Sequence, residues 1–205
     1  MKIVLATKNP GKIAEIKAIF ALPGIEWLTH DEEAAWPHVD EDAPTFEGNA
    51  VKKARALADF FGLPALADDS GLEVEALGGA PGIYSARFAG PHCVDADNVA
   101  KLLRELTGKT ERAAAFKAAV VMAWPDGRLV SATGSCPGSI ASEPKGAGGF
   151  GYDPVFIPDG YDRTMAELDP AEKNRLSHRG RALRSLKAEV DTVLGLQGEG
   201  EGVKS

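Results

Sequence analysis

The sequence predicts an α/β fold built on a mixed β-sheet. Three observations carry that expectation. Short apolar runs of strand length are interleaved with stretches whose apolar residues recur at helical spacing. Late in the chain, Ala113–Trp124 and Leu129–Ser135 bracket Pro125-Asp126-Gly127-Arg128 as a hairpin, which a purely parallel sheet does not contain. A length of 205 residues with 44% hydrophobic content is enough to bury a core in one compact domain.

The elements follow in order. Lys2–Ala6 reads as a buried first strand. Gly11–Leu22 sets Ile13, Ile16 and Phe20 at helical spacing, with Asn9 as N-cap, Pro10 in the first turn and Pro23-Gly24 as the stop. Ile25–Thr29 reads as a strand, and the acidic, proline-broken His30–Pro44 as a loop. Thr45 caps a helix carrying Phe46, Ala50, Ala54, Leu57 and Phe61 on one face, ended by Gly62-Leu63-Pro64. Ala65–Ala67 reads as a short strand with Asp68-Asp69-Ser70-Gly71 at its C-terminal end, and Leu72–Leu77 as another strand. Gly78–Gly82 is rich in turn residues. A helix from Asp95 or Asp97 to about Leu106 turns Val99, Leu102, Leu103 and Leu106 inward. Pro137–Ile140 continues the sheet, Lys145–Tyr152 with four glycines is a loop, and Val155–Ile157 is a short strand. Asp169-Pro170-Ala171-Glu172 starts one helix and Ser177 caps the last, with Leu183, Leu186, Val190 and Leu194 inward. The Gly/Glu-rich stretch 195–205 reads as a disordered tail, leaving 1–194 as a single domain.

The bulk chemistry narrows the function. A formal net charge of −7 argues against binding a nucleic-acid backbone, yet leaves room for a local anion site. The apolar runs fall well short of the roughly 20 residues of a membrane span. Cys93 and Cys136 have no metal-ligand spacing, which suits a reduced cytoplasmic setting.

Five segments can carry chemistry, and each alone also fits a plain structural role. In Thr7-Lys8-Asn9-Pro10-Gly11-Lys12 a strand meets a helix start, where free amides and the helix dipole favour an anion and Lys8 and Lys12 add charge. The adjacent acids of Asp68-Asp69-Ser70-Gly71 suit a hard cation bridging to phosphate, and Asp40-Glu41-Asp42 can add a carboxylate. Gly146–Pro154 sets Phe150 and Tyr152 in a glycine-rich loop beside Asp153, suited to stacking on a base. Lys173 and Ser177-His178-Arg179-Gly180 put donors at a helix N-terminus, where a bound acceptor would explain the cations.

Together these segments resemble the inosine/xanthosine triphosphate pyrophosphatase family. Thr7–Lys12, Thr45–Ala50, Ala67–Leu72, Gly78–Arg87, Gly148–Pro154 and Ser177–Gly180 all run in family order. Lys8-Asn9-Pro10 stands where the family often has Gly-Asn-x. The resemblance implies an elongated mixed sheet flanked by helices, two lobes around a central cleft, and a homodimer. It implies Mg²⁺-dependent hydrolysis of ITP, dITP and XTP to the monophosphate and pyrophosphate.

By the same resemblance, Thr7, Asn9 and Lys12 would hold the triphosphate, with the Lys8 backbone and Lys53 contributing and Pro10 and Gly11 completing the turn. Glu41 and Asp69 would bind Mg²⁺, and Asp69 would also be the base for the attacking water. Asp68 would orient the site or share the metal. His178 and Arg179 would donate to the C6 oxygen of the base, and Phe150 would stack on it. Gly151, Tyr152, Asp153 and Lys173 would complete the pocket, and Ser70 would touch substrate. A pyrimidine-triphosphate pyrophosphatase and a non-catalytic purine nucleotide sensor are the rival readings.

Overall fold

The computed structural model describes residues 1–21, 24–30 and 36–194. The expectation of a tail at 195–205 and the stop at Pro23 lie outside the described residues. The elements are β1 (Lys2–Leu5), α1 (Pro10–Ile19), β2 (Glu26–Leu28), α2 (Phe46–Phe61), β3 (Ala65–Val74), α3 (Asp95–Glu105), β4 (Ala113–Ala123), β5 (Leu129–Ile140), β6 (Phe156–Pro158), α4 (Pro170–Leu176) and α5 (His178–Val193). They form one six-stranded sheet in the order β2-β1-β3-β4-β5-β6. β1 runs parallel to β2 and β3, and the pairings from β3 to β6 are antiparallel, so the sheet is mixed as expected.

The helix starts are those the sequence marks. Asn9 accepts from the Lys12 amide, Thr45 from the Gly48 amide, Asp169 from the Glu172 amide and Ser177 from the Gly180 amide. Each side chain pairs one of the amides that a helix start leaves free. Helices cover both faces of the sheet. On one face α1 and α5 bury Ile16, Phe20, Leu183 and Leu186 against Leu5, Leu66 and Val120. On the other α2 sets Ala50, Ala54 and Leu57 against Val4, Ala67 and Val121. A third cluster joins Leu102 of α3 and Leu106 just past its end to Leu72, Phe116 and Phe156.

Two expectations change. The acids do not lie at a strand end: β3 is one ten-residue strand paired with β4 from Ala65↔Ala123 to Val74↔Ala114. The supposed second strand is its continuation as far as Val74, followed by a 3-10 turn, Glu75–Leu77. Polar residues in mid-strand hid this continuity. The short strand assigned to Val155–Ile157 is Phe156–Pro158, because Val155 closes a 3-10 turn begun by Asp153.

Candidate active site

Successive residues of a strand point to opposite faces, and this separates the two acids. Asp68 shares the Leu66 face and turns to α1 and α5, while Asp69 shares the Ala67 face and turns to α2. Asp68 is fully enclosed. Arg179 forks onto it from Nε (3.1 Å) and Nη2 (3.3 Å), Lys12 Nζ lies at 2.5 Å and Ser70 donates at 3.1 Å. Burial alone would raise its pKa, but Arg179 and Lys12 hold it well below the usual carboxylate range.

Asp69 keeps a little exposure. Asn49 of α2 donates to one oxygen at 3.1 Å and Lys53 Nζ approaches the other at 3.3 Å. Here burial prevails over Lys53, and the carboxyl is raised above its ordinary value. Lys53 also reaches Glu41 at 2.8 Å. Burial would raise Glu41, but the attraction of Lys53 outweighs it and lowers the carboxyl. Burial would lower Lys53, and Asp69 and Glu41 together raise it. Lys12 is the opposite case, lowered because burial exceeds the pull of Asp68.

The α5 end forms a second charged group. Arg179 Nη1 meets Glu15 at 2.5 Å, and Lys173 Nζ meets Glu15 at 2.7 Å and Asp153 at 2.5 Å. Asp153 also accepts from the Phe150 amide at 2.8 Å, which shapes the glycine loop. Above these charges the Phe150 ring carries Lys173 Nζ 4.6 Å from its centroid. Beneath it is Gly11, where any Cβ would collide with the ring. The missing side chain thus makes room for Phe150. His178 stacks on Phe116 at 4.8 Å and 13°, and its buried Nδ1 has no hydrogen-bond partner among the described residues. Burial first, then the Arg179 charge, push its pKa well below 6.5, so the ring is neutral.

One cavity of about 500 Å³ joins these groups. Its wall holds Thr7, Lys8, Asn9, Lys12, Glu41, Lys53, Asp69, Ser70, Phe150, Gly151, Tyr152, Asp153, Lys173, His178 and Arg179. Three expected residues are off the wall: Asp68 is sealed by its ion pairs, Pro10 is the first residue of α1, and Gly11 lies under Phe150. Arg179 reaches the wall, but Asp68, Glu15 and Ser70 occupy most of its donors.

Sequence reasoning missed Glu15, Asn49, Phe116 and Arg87. Glu15 had a signal: it follows Lys12 by one helical step and adjoins Ile16 on the buried face of α1. Asn49 sat inside the Thr45–Ala50 motif without a role; its side chain accepts from the Ala43 amide while donating to Asp69. Phe116 had none, being one apolar residue of a hairpin.

Fold and cleft together define an α/β protein equipped for a phosphate-bearing ligand, with helix-start amides, lysines and two carboxylates at one end and a neutral imidazole at the other. The model of the Ham1 family matches residues 3–189, and the chain belongs to that family. A dITP/XTP pyrophosphatase of Desulforamulus reducens is 51% identical over 186 residues, covering 90% of this chain and 92% of that protein. One from Geobacillus kaustophilus is 46% identical, covering 98% and 99%. Among solved structures, the HAM1 protein of Coxiella burnetii superposes with a TM-score of 0.84 at 40% identity, covering 94% of this chain and 99% of that one. The Staphylococcus aureus Ham1 protein also gives 0.84, at 41% identity, covering 94% and 100%. The family resemblance drawn from the motifs is thereby borne out.

Proposed function

We propose that the protein hydrolyses ITP, dITP and XTP between the α and β phosphates, giving the monophosphate and pyrophosphate and clearing deaminated purines from the nucleotide pool. The supporting observation is the single cleft in which Lys12, Asp69 and His178 meet although they are far apart in the chain. The names of the relatives support the same substrates.

The donor set suits magnesium. Glu41 and Asp69 face the cleft with Lys53 near both, and Mg²⁺ is commonly bound by one or two carboxylates plus substrate phosphates. Magnesium bound there would offset phosphate charge. Thr7, Asn9, Lys12 and the turn amides hold phosphate oxygens, aided by Lys8 and Lys53. Asp69, raised by burial and fixed by Asn49, takes the proton of the attacking water. Asp68, sealed from the cleft, positions Lys12 and Arg179 and does not share the metal.

At the other end, His178 carries specificity. The neutral ring of His178 lines the cleft and donates an N–H to the C6 oxygen of the base. The amino group of adenine offers no acceptor there. Arg179 acts mainly through Asp68 and Glu15, while Phe150, Gly151, Tyr152, Asp153, Lys173 and Ser70 shape the pocket. The reading includes a homodimer in the cytoplasm.

The test is a product assay on dITP with Mg²⁺ and with a chelator. Pyrophosphate release that stops on chelation is expected, with ATP turned over far more slowly. Orthophosphate as product, or equal rates on ATP and dITP, would end the reading. Asp69→Asn is expected to lose roughly 10²–10⁴-fold in kcat while remaining folded. A panel of modified pyrimidine triphosphates tests the nearest rival.

A further inference from the structure

Four cations of the cleft wall are already matched. Lys12, Lys53, Lys173 and Arg179 lie within ion-pair distance of Glu15, Glu41, Asp68, Asp69 or Asp153. These five carboxylates offset the four cations, which leaves Lys8 and Arg87 as the lysine and arginine of the wall without an ion pair among the described residues. The negative charges of a triphosphate need more offset than the metal alone gives.

Arg87 differs from these four. It is exposed on the cleft wall, and no carboxylate among the described residues lies within ion-pair distance of it. Its Nη2 donates to the Glu41 backbone oxygen at 3.4 Å, which places the guanidinium at the carboxylate end of the cleft. The rest of the fork is uncommitted, over the Tyr84 ring at 5.3 Å. Its segment, the 3-10 turn Gly82–Arg87, is pinned from two sides. Ser85 Oγ donates to Gly82 O at 2.6 Å and accepts from the Leu72 amide at 2.9 Å, and Tyr152 Oη donates to Ser85 O at 2.9 Å. Gly71 permits this, since a Cβ there would strike Ser85 Oγ. A rigid segment thus carries a free planar fork, the shape suited to bidentate contact with phosphate oxygens.

We propose that Arg87 grips the two phosphates that leave as pyrophosphate. This rests on the triphosphate reading of the cleft. Water bonds through its oxygen to the α-phosphorus, the α–β bridging oxygen departs with the bonding pair on pyrophosphate, and Asp69 takes the water's proton. Arg87 offsets the charge that gathers on the leaving group.

The test separates the two products. Inhibition of dITP hydrolysis by inorganic pyrophosphate and by dIMP is measured for the wild type, Arg87→Ala and Arg87→Lys. Arg87→Ala should weaken pyrophosphate inhibition about tenfold or more and raise KM for dITP, with dIMP inhibition and the Mg²⁺ requirement unchanged. Arg87→Lys should recover part of the loss. Unchanged pyrophosphate inhibition, or equal loss of both inhibitors, overturns the proposal, the latter marking a purely structural contact with the Glu41 loop. If Arg87→Ala does not fold, Arg87→Lys decides alone, with an intermediate loss expected and none overturning it. If the wild type does not hydrolyse dITP, the reading of the cleft fails first. Calorimetric binding of pyrophosphate to wild type and variants then decides Arg87 on its own.

Discussion

Asp68 illustrates how a buried acid is kept ionised. Replacing it by Asn leaves Arg179 and Lys12 without their common partner, and breaking such a buried pair costs about 3–5 kcal/mol. Urea denaturation of Asp68→Asn at neutral pH measures this. The folded pKa of Asp68 lies below its ordinary value of 3.8, so the unfolded chain takes up the proton first. Its contribution is therefore present above that value and is lost as pH falls below it. The stability gap between wild type and variant should narrow in acid, and a gap independent of pH would refute the assignment. Asp69 is raised instead, so in the metal-free protein its carboxyl should titrate above the range of an ordinary aspartate, a step that NMR can follow and that vanishes in Asp69→Asn.

Among the elements, α5 depends on close approach to β5. Gly134 lies under the His178 backbone, and a Cβ there would overlap the His178 carbonyl. Gly134→Ala should cost about 1–3 kcal/mol through overpacking and should weaken base discrimination by shifting His178. Melting temperature and the dITP to ATP rate ratio check the two effects, and an unaltered ratio would show that His178 stays in place. The helix starts were legible because Asn9, Thr45, Asp169 and Ser177 act locally, each within a few residues of what it caps. The length of β3 was not legible. Its polar middle looks like a turn, and only pairing with β4 and ion pairs from α1, α2 and α5 make it a strand. Glu15 was overlooked for a related reason, since its partners Lys173 and Arg179 lie more than 150 residues away. The motif residues of the cleft could be read as a set, but their division into sealed and open groups required the faces of the sheet.

At the scale of the molecule, the cleft gathers residues from α1, α2, β3, α3, β4, α4, α5 and the loops between them, so a ligand seated there ties distant segments together. Nucleotide and magnesium together should therefore raise the melting temperature by more than the sum of their separate shifts. A ligand at 100 times its Kd adds about 2.7 kcal/mol. Scanning fluorimetry with a non-hydrolysable dITP analogue tests this, and additive effects would mean that the two bind independently. The alternation along β3 also bears on which changes the gene can tolerate. Swapping one amino acid near 65–67 alters a contact, whereas deleting one codon there would turn every later side chain of the strand over. Asp69 would then meet the guanidinium and Ser70 would face α2. The protein should survive many replacements in this stretch and no single-residue deletion.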